Sequence, residues 1–168
     1  MSDKGKKIFL AFAIIVPFLL YCVYYYGHMI SIAPYKFSEF KSFTIQYGVR
    51  DSMVNKYDSK TGAYQYLDRK DSLIKKTMLL KNSELLYLHR KAAELGFWDF
   101  PSNETGDTTK FRGTKPVRYD IEFNYQRKSK KVVFDESFNG DSKLKDANEN
   151  FVKEIMKVLN EAEDRNKK

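Results

Sequence analysis

The sequence predicts an α+β protein whose folded part follows an N-terminal transmembrane helix. Three patterns indicate this: an uncharged apolar run from Ile8 to Tyr26, several stretches with an apolar residue at every second position, and two stretches with helical spacing. Runs of strands that alternate with helices and short turns are typical of α+β folds. We expect an antiparallel sheet of four or five strands with two helices on one face.

The apolar run is long enough to cross a bilayer. As a helix, its 19 residues would extend about 28 Å, which is close to the thickness of the hydrocarbon core. Tyrosines crowd its C-terminal end, where an aromatic belt would meet the headgroups. A cleaved signal peptide is the alternative, but its apolar region is normally only about 7–15 residues long. We therefore predict an uncleaved anchor, in contact with membrane lipid, over residues 8–30.

Lysines on either side of the anchor predict its orientation. Lys4, Lys6 and Lys7 precede it, whereas Lys36 and Lys41 follow at a greater distance. The positive-inside rule then places the N-terminus in the cytoplasm, so we expect a single-pass protein of a bacterial inner membrane with a periplasmic C-terminal domain. The predicted segments are a cytoplasmic N-terminus (1–7), the anchor (8–30), a juxtamembrane linker (31–42), one α+β domain (43–163) and a frayed tail (164–168).

The charged residues of the sequence limit the classes of binding partner that we expect. The net charge is +8, but the 22 acidic residues are interspersed with the 30 basic ones. A nucleic-acid module usually concentrates its basic residues on one face, so we expect no nucleic-acid partner and a solvated, lysine-rich surface. The reversed topology remains an alternative, in which the basic domain would meet anionic lipid or nucleic acid in the cytoplasm. The only cysteine, Cys22, lies in the anchor, so the domain must be stable without a disulfide.

The first half of the domain is predicted as strands followed by a helix. Alternation from Phe43 to Val49 indicates a strand, Ala63–Leu67 completes a long hairpin with it, and Ser72–Leu80 is a third strand. Asn82 is the expected N-cap of a helix that ends at Gly96. The aromatic segment 97–100 that follows is expected to plug the end of this helix against the sheet, with a ligand platform as the alternative.

The second half repeats strands and a helix. Residues 101–116 form a polar loop, which at this length is typically functional or disordered. Val117–Tyr125 gives the clearest strand pattern, with Val117, Tyr119, Ile121, Phe123 and Tyr125 on one face, and residues 131–135 are its partner strand. An amphipathic helix from about Leu144 to Glu163 ends the domain.

Two segments, LHRKAAELGFWDFP and RYDIEFNYQRKSKKVVFD, carry a resemblance that covers roughly Phe43 to Leu159. This part of the chain resembles small uncharacterised bacterial domains carried on membrane anchors or lipoproteins. The resemblance implies a strand-strand-helix-strand-strand-helix plan. It implies no activity.

The sequence contains no set of residues that requires a particular chemistry. His28 lies at the membrane edge, and His89 is a boundary residue of the first domain helix. A zinc site needs three or four ligands, and a nucleophile needs a positioned base, so we predict no catalytic, cofactor-binding or metal-binding residue and no cofactor. The carboxylates Asp120 and Glu122 share a strand face, but nothing in the sequence assigns them as acid and base.

One segment loosely resembles a calcium-binding loop. In residues 135–146, Asp135, Asn139, Gly140 and Asp146 occupy positions 1, 5, 6 and 12 of an EF-hand pattern, but Ser137 stands at position 3 and the segment follows a strand. A plain strand-to-helix turn is the simpler interpretation.

We therefore expect a non-catalytic, membrane-tethered interaction module with a protein partner in the cell envelope. A ligand- or calcium-binding sensor is the alternative, and a small hydrolase or transferase is the third hypothesis.

Overall fold

The computed structural model describes residues 3–32, 35–49, 52–106 and 116–166. The chain divides into two compact units, Met1–Tyr35 and Lys36–Lys168. The first unit contains the helix α1 (Asp3–Ile32), which includes Pro17. The second unit is the α+β domain.

The described apolar side chains of α1 are exposed. Phe9 is 69% exposed, Val23 71% and Tyr24 73%, and the other large apolar side chains described between them are similarly uncovered. Among the residues that the structure describes, no helix combines the length and the mean hydropathy that crossing a membrane requires. The anchor over residues 8–30 therefore stays a prediction.

The domain is built on one mixed sheet of seven strands in the described residues, in the order β4-β3-β2-β1-β6-β7-β5. All neighbouring strands are antiparallel except β5, which runs parallel to β7. The strands are β1 (Phe40–Val49), β2 (Ser52–Asp58), β3 (Ala63–Leu67), β4 (Leu73–Thr77), β5 (Asn103–Glu104), β6 (Val117–Tyr125) and β7 (Ser129–Asp135).

Alternation along the two central strands creates the buried face of the sheet. Ile45 pairs with Ile121 and Phe43 pairs with Phe123, and all four side chains are fully buried. The two pairs lie on the same face of the sheet. Successive side chains of a strand point to opposite faces, so residues two positions apart share a face. The face predicted from the alternation of residues 117–125 is confirmed.

Two helices cover this buried face: α2 (Asn82–Glu94) and α3 (Ser142–Asn166). Phe151 of α3 stacks on Phe123, and His89 of α2 bonds Tyr125 on the same strand face. The first half of α3 reaches β5 through Asn148, and its last turns reach β3 and β4 through Glu163. α3 therefore crosses the sheet from one edge strand to the other.

The helix ends differ in detail from the predictions. Asn82 is the first residue of α2 rather than its cap. The N-cap is Lys81, whose backbone N–H donates a hydrogen bond to the Glu84 carboxylate at 2.7 Å. Gly96 adopts a φ of 78° after α2, as its predicted role requires. The tail predicted to fray from residue 164 is helical up to Asn166, and Arg165 is held by Glu84 and by the Leu79 carbonyl.

The prediction of four or five antiparallel strands was too low and missed one parallel pair. Residues 52–58 form β2, which lies between the two strands predicted to form one long hairpin. Its polar residues Asn55 and Lys56 obscure the alternation, because only Tyr57 of this strand is fully covered. The two-residue strand β5 lies within the predicted loop 101–116, of which residues 107–115 lie outside the described part.

Replacing Phe123 with alanine should lower the free energy of unfolding by about 3–5 kcal/mol, because its ring packs against Phe43, Phe97, Trp98 and Phe151. Urea unfolding of the full chain, followed by Trp98 fluorescence, measures this. The control Leu79→Ala removes a side chain that is 60% exposed and should change stability by less than about 0.5 kcal/mol. A loss under about 1 kcal/mol for Phe123→Ala would contradict the packing described here.

Candidate functional site

The helix-facing side of the sheet has two adjacent recesses at the end where β1 finishes and β6 begins. One, of about 290 Å³, is lined by Tyr119, Phe134, Glu136, Glu149, Val152 and Lys153. The other, of about 310 Å³, is lined by Tyr47, Gly48, Val49, Ser52, Val54, Asn55, Leu67, Val117 and Tyr119. Because Tyr119 lines both, we treat them as one feature and call it the aromatic groove.

Strand register places the rings of the groove in a row. Tyr47 pairs with Tyr119 across β1 and β6, and Tyr119 pairs with Phe134 across β6 and β7. The ring centroids are 5.9 Å and 6.3 Å apart, with interplanar angles of 21° and 20°. Phe134 is buried, whereas Tyr47 and Tyr119 are partly exposed. The row therefore contains two partly exposed tyrosine rings beside the buried ring of Phe134.

Carboxylates set the electrostatic character of the groove. Burial raises the pKa of the Tyr119 hydroxyl, and the negative charges of Glu136 and Glu149 raise it further. Burial likewise raises the pKa of Tyr47, partly offset by its hydrogen bond with Tyr64. Lys153 is the one cationic lining residue of the recess that holds Glu136 and Glu149, among the described residues. The two carboxylates therefore disfavour ionisation of the Tyr119 hydroxyl.

A cluster of polar side chains continues from Tyr47 towards β4. Glu163 accepts a hydrogen bond from the Tyr66 hydroxyl at 2.9 Å and forms an ion pair with Lys76 at 2.5 Å. The Lys76 ammonium also lies 4.9 Å from the Tyr66 ring and 5.4 Å from the Tyr64 ring. The chain thus already places one of its own cations against tyrosine faces and a carboxylate, which is a favourable arrangement for a partly buried ammonium.

The calcium-like loop is occupied by internal contacts. Asp135 is fully buried, and its Oδ1 accepts hydrogen bonds from the backbone N–H groups of Gly106 and Ser137, both at 3.1 Å, and from the Ser137 hydroxyl at 2.6 Å. Its Oδ2 pairs with Arg118 at 3.4 Å. Asp141 instead caps the first turn of α3. No cluster of three or more His, Cys, Asp or Glu side chains suited to a metal occurs within the described ranges.

His89 lies in an aromatic environment on α2. Its ring packs against Phe37, Trp98 and Tyr125, and its Nδ1 lies 2.7 Å from the Tyr125 hydroxyl. Burial lowers the pKa of His89, and the charge of Arg90 lowers it further. These contacts describe a boundary residue whose partial burial disfavours the charged form. His28 belongs to α1, and its side chain lies outside the described part.

The aromatic corner at residues 97–100 acts as the predicted plug. Phe97 is fully buried and contacts Phe123 and Phe151, and Phe100 is 7% exposed. The paired carboxylates Asp120 and Glu122 lie on the opposite face of the sheet, where Asp120 pairs with Lys131 at 2.8 Å. Neither feature faces the aromatic groove.

Sequence reasoning missed the groove because it depends on which residues α3 leaves uncovered. The alternation of β1 and β6 placed Tyr47 and Tyr119 on the buried face, but it gave no sign that they lie beyond the helix. Leu67 and Glu149, far apart in sequence, join the lining only through the tertiary fold. The adjacent register positions of two tyrosines were the only available signal.

Comparison with known proteins gives no relative for this chain. No family model, no curated protein and no solved structure matches it. The function must therefore be argued from the site itself.

Replacing Asp135 with alanine should destabilise the fold by about 3–5 kcal/mol, because the change leaves Arg118 without its buried carboxylate and three donors without an acceptor. Asp141→Ala removes only a helix cap and should cost about 1 kcal/mol. Urea unfolding with and without millimolar calcium measures both changes. A calcium-dependent rise in stability that Asp135→Ala abolishes would contradict the structural role and favour the sensor hypothesis.

Proposed function

We propose that the chain is a non-catalytic, membrane-tethered interaction module whose domain binds a basic, extended segment of an envelope protein in the aromatic groove. The observation that carries this proposal is the combination, at Tyr119, of an accessible ring with the nearby carboxylates Glu136 and Glu149. A ring face and a carboxylate together favour a Lys or Arg side chain over neutral or anionic groups. The positively charged side chain of the partner segment is therefore the feature that the groove would recognise.

The arrangement of the groove as two neighbouring recesses suits an extended protein segment. Here two recesses of about 290 and 310 Å³ lie side by side and share Tyr119. Each recess suits one side chain, and two neighbouring recesses suit two side chains of one extended segment.

The other two hypotheses have less support among the described residues. The sensor hypothesis needs the Asp135 carboxylate at the first ligand position, and its Oδ1 is engaged in internal hydrogen bonds. A hydrolase or transferase needs a nucleophile beside a base, and His89 instead contacts Tyr125 and two aromatic rings.

Binding of a blocked pentapeptide with two arginines tests the groove directly. Calorimetry on the full chain in detergent should show weak binding that falls with added salt. The twin peptide, in which citrulline replaces arginine, keeps the shape and loses the charge, and we expect it to bind at least fivefold more weakly. Tyr119→Leu should weaken arginine-peptide binding by about 5- to 20-fold, and Glu149→Gln by about 3- to 10-fold.

The matched control for charge is Glu161→Gln, which removes an exposed carboxylate from the same helix, about 18 Å further along its axis. This variant should bind the arginine peptide like the natural sequence. The groove would be ruled out as the binding site if the two peptides bound with equal affinity. It would also be ruled out if Glu149→Gln and Glu161→Gln lost equal affinity for the arginine peptide.

The tether is supported by the apolar pattern of residues 8–30 and by the exposed apolar side chains of α1, which need an apolar environment. We place the domain on the periplasmic side of a bacterial inner membrane. A reporter that is active only outside the cytoplasm, fused after Lys168, should be active, whereas the same reporter fused after Lys7 should not. Activity of a cytoplasm-only reporter after Lys168 would reverse the topology and bring anionic lipid or nucleic acid back as partners of the basic domain.

A further inference from the structure

The edge of the sheet opposite β4 contains a buried carboxyl group. Glu104, on β5, is only 1% exposed, and Asn148, on α3, is also 1% exposed. The Asn148 Nδ2 donates a hydrogen bond to Glu104 Oε2 and another, of 3.0 Å, to the Leu144 carbonyl. The side chains of the two residues therefore join the sheet edge to the first turns of α3.

Two buried oxygens in this pair have no donor in the described structure. They are Glu104 Oε1 and Asn148 Oδ1. An ionised carboxylate offers only acceptors, so it leaves both oxygens unsatisfied. Leaving a buried acceptor without a donor costs about 1–3 kcal/mol, and a buried charge without full compensation costs more. One proton on Oε1 would supply the missing donor and satisfy both atoms together.

We infer that Glu104 is protonated in the folded protein and that its carboxyl group forms a two-hydrogen-bond pair with the Asn148 amide, which acts as a proton-dependent latch between β5 and α3. In this pair the amide N–H donates to Oε2, and the carboxyl O–H donates to Asn148 Oδ1. Loss of the proton breaks the second bond and places a negative charge among buried groups.

The charged surroundings of Glu104 agree with this protonation state. Burial raises its pKa to about 7, opposed by the hydrogen bond from Asn148 and by the charge of Lys130 on β7. Lys130 is itself engaged, because its ammonium donates to the Phe100 carbonyl and is acted on by Asp99 as well as by Glu104. Lys130 is the one cation of the described structure that acts on Glu104, and it does not cancel the effect of burial.

The latch matters because β5 is otherwise weakly held. It has two residues, which pair with Val133 and Phe134 of β7, and one further backbone bond joins Val133 to the Ser102 carbonyl. Opening the latch would release residues 102–104 and uncover the edge of β7, which could then pair with another strand. The same segment is attached to the buried Asp135, because the backbone N–H of Gly106 donates a hydrogen bond to its carboxylate. A Cβ at position 106 would collide with the Ser137 carbonyl.

The sign of the pH dependence follows from the raised pKa. Between about pH 4.5, the value for the unfolded chain, and about pH 7, the folded state keeps a proton that the unfolded chain has lost. The free energy of unfolding contributed by Glu104 is therefore largest below pH 4.5, decreases as the pH rises, and levels off above about pH 7. The lowered pKa of His89 acts in the opposite direction below pH 6.5, so the contribution of Glu104 must be isolated by a variant.

The experiment compares the natural chain with Glu104→Gln, whose amide can form the same two bonds at every pH. On the full chain with its glutamate side-chain carboxyl carbons labelled with ¹³C, we expect the NMR resonance that this substitution removes to titrate with a midpoint near pH 7. Urea-unfolding midpoints should fall between pH 5 and pH 8 by a larger amount in the natural chain than in Glu104→Gln. Asn148→Leu, which removes the partner of both bonds, should lower stability most at acidic pH, where both bonds are formed.

Two results would overturn the inference. One is a Glu104 resonance whose midpoint lies near that of an exposed glutamate, which would mean an ionised carboxylate paired with Lys130. The other is an identical pH profile of stability for the natural chain and Glu104→Gln. A natural chain in which every glutamate side-chain resonance titrates with the midpoint of an exposed glutamate would overturn the inference even if a variant fails to fold.

Discussion

The domain depends on one packing contact, the meeting of Phe97, Phe123 and Phe151 between the sheet and the two helices. Phe123 comes from the central strand β6, Phe97 from the turn after α2, and Phe151 from the middle of α3. All three side chains are fully buried. Because interiors are close-packed, this contact fixes where α3 crosses the sheet, and the crossing point decides which residues beside it are left uncovered.

The groove and the latch are both consequences of that crossing. On one side of α3 the second helix fills the remaining surface, with Leu88 and Ala92 fully buried. On the other side Tyr47 and Tyr119 are only partly covered, so the row of rings that continues the core is partly accessible. At the sheet edge, the N-terminal turns of α3 bring Asn148 onto Glu104. A single helix position thus accounts for an accessible aromatic surface and for a buried acid.

The sequence predicted the parts of the fold that periodicity controls. The strand at Val117–Tyr125, its buried face, the helix ended by Gly96 and the plug at Phe97 follow from spacing and from local turn chemistry. It did not predict β2, whose polar residues hide the alternation, or β5, which is two residues long and pairs only through the tertiary fold. The ends of α3 were misjudged because the contact of Arg165 with Glu84 joins residues 81 positions apart.

The candidate site was less predictable than the fold, for a physical reason. A catalytic or metal site can be recognised from the types of residue in the sequence. A docking surface consists of ordinary core residues that a helix leaves partly uncovered. Tyr47 and Tyr119 have the same pattern as the buried Tyr57 and differ from it only in what lies above them. The same holds for Glu104, whose burial depends on Asn148, 44 residues further along the chain.

The most direct test of the central claim is chemical footprinting of the tyrosines in the full chain, read residue by residue by mass spectrometry, with and without the arginine peptide. Tyr119 and Tyr47 should be modified in the free protein and protected by the peptide, whereas Tyr57 and Tyr64, which are 2% and 5% exposed, should stay unmodified in both states. Protection of Tyr119 by the arginine peptide but not by its citrulline twin would establish the groove as a charge-selective docking surface. Unchanged modification of Tyr119 at saturating peptide would contradict the account.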